Sequence, residues 1–381
     1  MFKTYFDTLA NCFRIPELRS RIWFTLFVLV ICRIVALTPV PGLDGEVLAN
    51  AFKDLRENEV AGGEPSLLGL YSMFTGGALE RCAIGSLGIM PYISATIILQ
   101  LMTAVVPSLS KLSREEGGRT QIIKYGRYLT VLLCLGQGYV MSIGWENPER
   151  VFTGMNLAGP LVRETGLWYN IQTMLMLTTG TVLLMWMGEQ ITERGVGNGV
   201  SLVITIGIIG RLPQAAVQLY EMFAGTPNPE TGEIVSQFNM FHGFLLVGML
   251  LCIVAAVIAM TQAQRKIPVQ YAQRAVGRKM YQGGSSFLPL RVNYAGVMPI
   301  IFAQAILMFP QAIFTFMAGM VESGGFLHGT FTSLSRELGY GEPWFLVLEG
   351  TMILFFSYFW VATQFNETQI SDDLKKYGGY I

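Results

Sequence analysis

Residues 65–85 read PSLLGLYSMFTGGALERCAIG, and the chain runs directly into 85–101, GSLGIMPYISATIILQL. The first stretch is apolar, yet it is too short and too rich in glycine to cross a bilayer, whose hydrocarbon core takes about 20 residues of helix. It also carries Glu80 and Arg81. A segment that enters the membrane and turns back is the physical reading, because irregular backbone at that depth needs shelter from protein or a water-filled cavity. The second stretch is long enough to span. Its Ile89, Ile93 and Ile97 recur every four residues and share one helical face, while Ser94 and Gln100 are polar at membrane depth. Such a stripe suits helix packing or lipid contact; it also suits a hydrophobic constriction that gates a pore by dewetting.

Working outward, eight runs have the length and polarity of crossings: 22–38, 86–106, 127–144, 168–188, 199–220, 240–262, 294–318 and 343–364. Pro91, Pro299 and the glycines near 207–210 are expected to interrupt three of them. The composition agrees. The 381 residues are 52% apolar and only 14% charged, where soluble domains run near a quarter charged. Forty-two glycines, 24 phenylalanines and 20 methionines suit an all-α polytopic membrane protein, in which small residues let helices approach. Lys+Arg and Asp+Glu both number 26, which excludes a basic nucleic-acid binder. The five cysteines (Cys12, Cys32, Cys82, Cys134, Cys252) are scattered and odd in number, so neither a disulfide framework nor a zinc site is expected. His242 and His328 stand far apart without acidic or cysteine neighbours at ligand spacing, and no metal or cofactor is expected. The first apolar run starts near Ile22 and more follow, so no cleavable signal peptide is expected.

Orientation follows from the loop cations. With the N-terminus cytoplasmic, eighteen Lys and Arg fall on that side and six on the other, with Arg33 and Arg81 unassigned. Arg211 counts among the six, and Arg33, near the end of the first span, is expected to snorkel. The most basic cytoplasmic loop is 263–293, AQRKIPVQYAQRAVGRKMYQGGSSFLPLRVN. Either orientation alone accounts for its charge, or it is a docking surface for a large partner with acidic or phosphate groups. Its Gly, Pro and Tyr content suits a shaped projection. Glu189 and Glu193 close the fourth span in GEQITERGVGNG, where carboxylates beside the next helix N-terminus are expected to complement its dipole. An acid pair serving an intramembrane enzyme is the weaker reading. Ion-coupled solute transport needs ionisable groups at the midplane; a secondary transporter of a small solute stands as the alternative function.

Beyond these readings, ordered motifs resemble one family, SecY, whose members form the central subunit of the bacterial protein-conducting channel. They are IPELRSRIWFTLFVLVICRIVALTPVPG (15–42), TGGALERCAIGSLGIMPYISATIILQLMT (75–103), EEGGRTQIIKYGRYLT (115–130) and GTVLLMWMGEQITERGVGNGVSLV (180–203). QRKIPVQYAQRAVGRKMY (264–281), LPLRVNYAGVMPIIFA (288–303) and FNETQISDDLKKYGGYI (365–381) follow.

The resemblance implies an inverted-repeat channel: a cytoplasmic N-terminus at 1–21, a first half over 22–222 with spans one to five, and a second over 223–381. It implies a re-entrant plug at 65–82, with Met73, Phe74, Gly76, Gly77 and Arg81 among its residues. It implies an apolar pore ring of Ile89, Ile93, Ile204 and Ile301, and a lateral gate between spans two and three and spans seven and eight, with Ser94, Gln137 and Asn293 as its polar cluster. Arg265, Arg274, Arg278 and Lys279 then resemble a docking site shared by the ribosome and the SecA motor ATPase. SecE- and SecG-type small membrane subunits, signal-bearing preproteins and the lipid bilayer are the other implied partners. No enzymatic activity is implied, and the chain lacks a Walker-type GxxxxGK[ST] sequence. The family continues with another docking loop and two more spans. The resemblance thus implies eight transmembrane helices of an expected ten, in a sequence cut short rather than a natural eight-span channel.

Overall fold

The computed structural model describes residues 13–60, 69, 71, 72, 75–115, 117–148, 159–227, 234, 235, 238–271, 274–276, 279–281, 285–321, 325–339, 342–364, 367–376, 379 and 380. Helices dominate them: α1 Pro16–Leu37, α2 Gly45–Val60, α3 Met90–Val105, α4 Pro107–Arg114, α5 Gly118–Glu146, α6 Leu167–Arg194 and α7 Gly199–Ile209. These are followed by α8 Leu212–Ala224, α9 Met240–Gln262, α10 Met298–Met320, α11 Phe326–Glu337, α12 Pro343–Gln364 and α13 Glu367–Lys376. Six stretches among the described residues are long and apolar enough to cross a membrane: α1, α5, α6, α7 with α8 as one crossing, α9 and α12. α3 and α4 would together make a seventh, bent by 103°. The expected crossing at 294–318 coincides with the 23-residue α10. The chain is a multi-pass membrane protein.

Two of the expected helix breaks lie elsewhere. Pro91 and Pro299 each take the second position of their helix rather than its interior. There the missing N–H costs nothing, since first-turn amides have no partner in the helix. Pro310 is the proline inside α10. The break at 207–210 is real, with a turn at Gly210–Arg211 separating α7 from α8.

The chain divides into two compact units, Met1–Ala215 with Leu307–Leu346, and Ala216–Ile306 with Val347–Ile381. In the first, α6 is the axis, with half of its apolar window buried against α1, α5 and α7. It is buried because small residues let neighbours approach: a Cβ on Gly180 would lie 2.2 Å from the Ile84 carbonyl oxygen. Outside the crossings, α2 places Leu48, Ala51 and Phe52 on one face, and these pack with Leu79, Leu87, Trp145 and Leu161 in a closed apolar cluster. In the second unit, Phe302 of α10 meets Phe356 and Trp360 of α12 edge-on at 5.9 and 5.4 Å. β1 (Thr226–Pro227) pairs antiparallel with β2 (Ile234–Val235), and β3 (Gln264–Tyr271) with β6 (Ser285–Arg291), Gln264 opposite Arg291 and Gln270 opposite Ser285. Between them β4 (Arg274–Val276) pairs with β5 (Lys279–Tyr281), and β7 (Gly379–Tyr380) adds to the free edge of β3. The basic loop is therefore a hairpin in a mainly helical chain.

Substituting Gly180→Leu should separate α6 from residue 84 and lower stability by about 1–3 kcal/mol, as overpacking of a filled site does. Gly136→Ala on α5, where a Cβ would meet nothing within 4 Å, should be neutral or stabilising by about 0.5–1 kcal/mol. Thermal unfolding of the two variants in detergent distinguishes them.

Candidate functional site

The folded-back segment that ends in α3 gathers the polar chemistry of the first unit. Residues 75–89 make a chain of turns in which Ala78, Leu79, Cys82, Ala83, Leu87 and Ile89 are buried. Its C-terminal part is stitched to the end of α1, where Val40 N–H donates to Cys82 O at 2.8 Å and Ile84 N–H to Thr38 O at 2.9 Å. Gly76 and Gly77 adopt φ of +66° and +81°. A Cβ on Gly76 would lie 2.8 Å from both the Arg33 Nη1 and the Gly207 Cα, so backbone packs directly on the α7 break.

Arg33 does not snorkel. Its Nη1 donates to Gly76 O at 2.7 Å and its Nη2 to Gly210 O at 3.4 Å. The helix break leaves carbonyls without helical partners, and a guanidinium with several donors can use them. Arg211 is likewise no solvated loop cation: its side chain is 18% exposed and paired with Glu80, itself 10% exposed. Arg211 Nη2 also donates to Ser72 Oγ at 2.5 Å, and Ser72 Oγ donates to Glu80 Oε1. Glu80 thereby receives both a cation and a hydroxyl, as a buried carboxylate requires.

A cavity of about 30 Å³ is lined by Cys32, Arg33, Thr75, Ile89, Leu184 and Ile204, with others. Ile89 and Ile204 thus face one space. Ile93 and Ile97 are buried at 8% and 3%, so this stripe is no lipid face, and Ile89 is the N-cap residue of α3 rather than a helical one. Ile301 belongs to the second unit and is half-buried. Ser94 is buried and Gln137 half-buried in the first unit. Asn293, exposed in the second, spends its Oδ1 on Gly296 N–H at 2.8 Å. Gly76, Gly77 and Arg81 lie in the folded-back segment, whereas Met73 and Phe74 fall outside the described residues. In the hairpin Arg265 is exposed on β3, Arg274 and Lys279 sit on β4 and β5, and Arg278 falls outside the described residues.

α7, which carries Ile204, is set by its own start. Asn198 Oδ1 accepts from Ser201 N–H at 3.2 Å, Thr192 Oγ1 accepts from Gly199 N–H at 2.9 Å, and Thr25 Oγ1 accepts from Val196 N–H at 3.1 Å. The cap is asparagine, and the expected carboxylate role is corrected: Glu189 bridges to Arg127 of α5 at 2.7 Å, while Glu193 is exposed. Two polar features went unread in the sequence. They are the Arg211–Glu80–Ser72 network, and Glu349 of α12, whose Oε1 accepts from the Gln304 amide at 3.4 Å. Separation along the chain hid the first; Glu349 was visible as a carboxylate inside an apolar run. His242 caps α9 with Asn239, and His328 Nδ1 lies 2.9 Å from Ala318 O. Among the described residues no three His, Cys, Asp or Glu side chains gather at metal-binding distance.

Fold and site together define a polytopic α-helical membrane protein with a non-spanning segment folded in among its crossings. The family model for SecY matches residues 83–381, and the chain belongs to that family. It is 39% identical over 367 residues to the protein translocase subunit SecY of Rickettsia typhi, covering 96% of this chain and 77% of that one. With the protein translocase subunit SecY of Streptomyces coelicolor it shares 37% identity over 376 residues, 98% of this chain and 80% of that one. A solved protein-conducting channel aligns at 18% identity and a TM-score of 0.48, over 79% of this chain and 59% of that chain.

Removing the cap of α7 with Asn198→Ala should lower stability by about 1 kcal/mol, with Asn198→Ser retaining most of it. The melting temperatures of the purified variants report the difference.

Proposed function

We infer that this chain is the channel subunit of a bacterial protein translocase, passing unfolded secretory polypeptides across the membrane and releasing signal or transmembrane segments sideways into the lipid. The observation that carries this reading is its membership of the SecY family, shared with translocase subunits over 96% or more of its length. It is a channel subunit rather than an enzyme, and nothing among the relatives favours a small-solute transporter. The halves 22–222 and 223–381 move apart about a hinge between the fifth and sixth spans.

In this reading Ile89, Ile93, Ile204 and Ile301 form the apolar collar around the translocating chain, and 65–82 is the plug beneath it. The cavity that Ile89 and Ile204 share with Thr75, Gly85 and Gly88 supports that assignment. An apolar collar excludes water and ions without binding any particular sequence tightly. Ser94, Gln137 and Asn293 hold the seam of the lateral gate by hydrogen bonds that an entering signal segment replaces. The hairpin bearing Arg265, Arg274, Arg278 and Lys279 docks the ribosome or the SecA ATPase. That its strands pair as an antiparallel hairpin supports a docking role beyond simple orientation charge. SecE- and SecG-type subunits complete the complex. The protein lies in the bacterial inner membrane with its N-terminus cytoplasmic, as the threefold bias of loop cations favours.

A photocrosslinker placed at Ile204 of the full-length protein, in export-competent membranes supplied with a stalled signal-bearing chain, should give adducts with that chain. No adduct at Ile204 or at Ile89 while export proceeds would sink the channel reading.

A further inference from the structure

The two parts of the folded-back segment are held by different means. Residues 82–84 exchange backbone hydrogen bonds with 38–40, a pairing indifferent to side chains. Ser72 and residues 75–80 are held by side chains reaching in from elsewhere. Arg211, in the turn between α7 and α8, grips Glu80 and Ser72, while Arg33 of α1 donates to the Gly76 carbonyl. We propose that Arg211, Glu80 and Ser72, backed by Arg33, form a charge latch that holds Ser72 and residues 75–80 on the α7–α8 break and sets the threshold at which they leave it. The proposal rests on reading this segment as the seal of the channel.

The chemistry of the latch makes it two-state. An ion pair attracts strongly where water is absent and weakly where it is present, by a factor set by the local dielectric. While the segment is seated, Glu80 and Arg211 are 10% and 18% exposed and the pair holds. Once a polypeptide enters and water follows, each partner is solvated separately and little attraction remains. The closed state therefore reinforces itself, and the open state does not pull the segment back until the site dries.

The glycines give the latch its reach. A Cβ on Gly210 would lie 2.6 Å from Arg33 Cζ, and one on Gly76 would strike Gly207, so side chains at these positions would hold the two backbones apart. A buried ion pair is weak as a source of net stability, since apolar replacements of both partners often serve as well. Its strength is in penalising the loss of one partner, which takes from the remaining charge its counter-ion across the pair. That penalty falls on the seated state of Ser72 and residues 75–80.

The test uses the full-length protein with its partner subunits in proteoliposomes, reading ion leak per channel and export of a preprotein with a defective signal. Glu80→Gln and Arg211→Gln should each raise the leak about tenfold and let the defective preprotein through, with export of a normal preprotein kept. The double variant should be no leakier than either single, because the contribution of the pair is already lost with its first member. A purely structural role would lower the amount of channel without raising leak per channel. Singles as tight as the parent, or leaks that multiply in the double, would overturn the latch. Deleting 72–80 separates the two readings. A leaky deletion beside tight singles removes only the latch, whereas a tight deletion removes the seal and the latch together. Should the Gln variants not accumulate in the membrane, Ser72→Ala decides. It keeps both charges, and its leak must exceed that of the parent for the proposal to stand.

Discussion

A guanidinium inside a membrane protein has to be given oxygens, and in this chain two arginines impose that requirement on everything around them. Arg33 sits on the first crossing, in an apolar run that offers no acidic partner at helical spacing. It takes the carbonyls of Gly76 and Gly210 instead. Those carbonyls are available because the chain between α7 and α8 turns at Gly210–Arg211, and because residues 75–78 form turns rather than α-helix. The irregular backbone and the half-buried cation thus justify one another, in accord with the rule that broken backbone at membrane depth needs internal partners. Arg211 extends the arrangement to Glu80, and the same turn that frees Gly210 carries the cation beside it.

α6 makes this geometry rigid. It is the most enclosed crossing, and it touches α1, α5 and α7, the elements that carry Arg33, Arg127 and Ile204. Close approach at Gly180 and at Gly199, where a Cβ would stand 1.8 Å from the Gly188 oxygen, brings backbone against backbone. The segment carrying Ile84 and the start of α7 are therefore positioned by van der Waals contact rather than by long side chains. By contrast α9, with none of its apolar window buried, is in contact with whatever surrounds the protein.

Much of this was legible in the sequence, for a simple reason: a crossing is a local property. Runs of apolar residues marked the helices, and the glycines near 207–210 marked a real break. Motif order along the chain carried the family. What the sequence withheld was non-local. Arg33 looked like a snorkelling residue because Gly76 and Gly210 are 43 and 177 positions away. Arg211 looked like a loop cation because Glu80 is 131 positions away. The amphipathic α2 went unread because Leu48, Ala51 and Phe52 are a weak apolar face outside any span, given meaning only by the cluster around Trp145. The prolines misled in the opposite direction, because the same residue that breaks a helix interior also opens a helix.

The sharp turn after α3 bears on the surrounding lipid. α3 has 16 residues before the 103° bend into α4, which is about 24 Å of helix at 1.5 Å per residue. The hydrocarbon layer is about 30 Å thick, and Ile98, Met102 and Val105 on this short helix are exposed. A crossing shorter than its solvent draws the bilayer in around it, at a cost of fractions of a kcal/mol per ångström. Around a span of that length acyl-chain length becomes one of the variables that set where a helix rests.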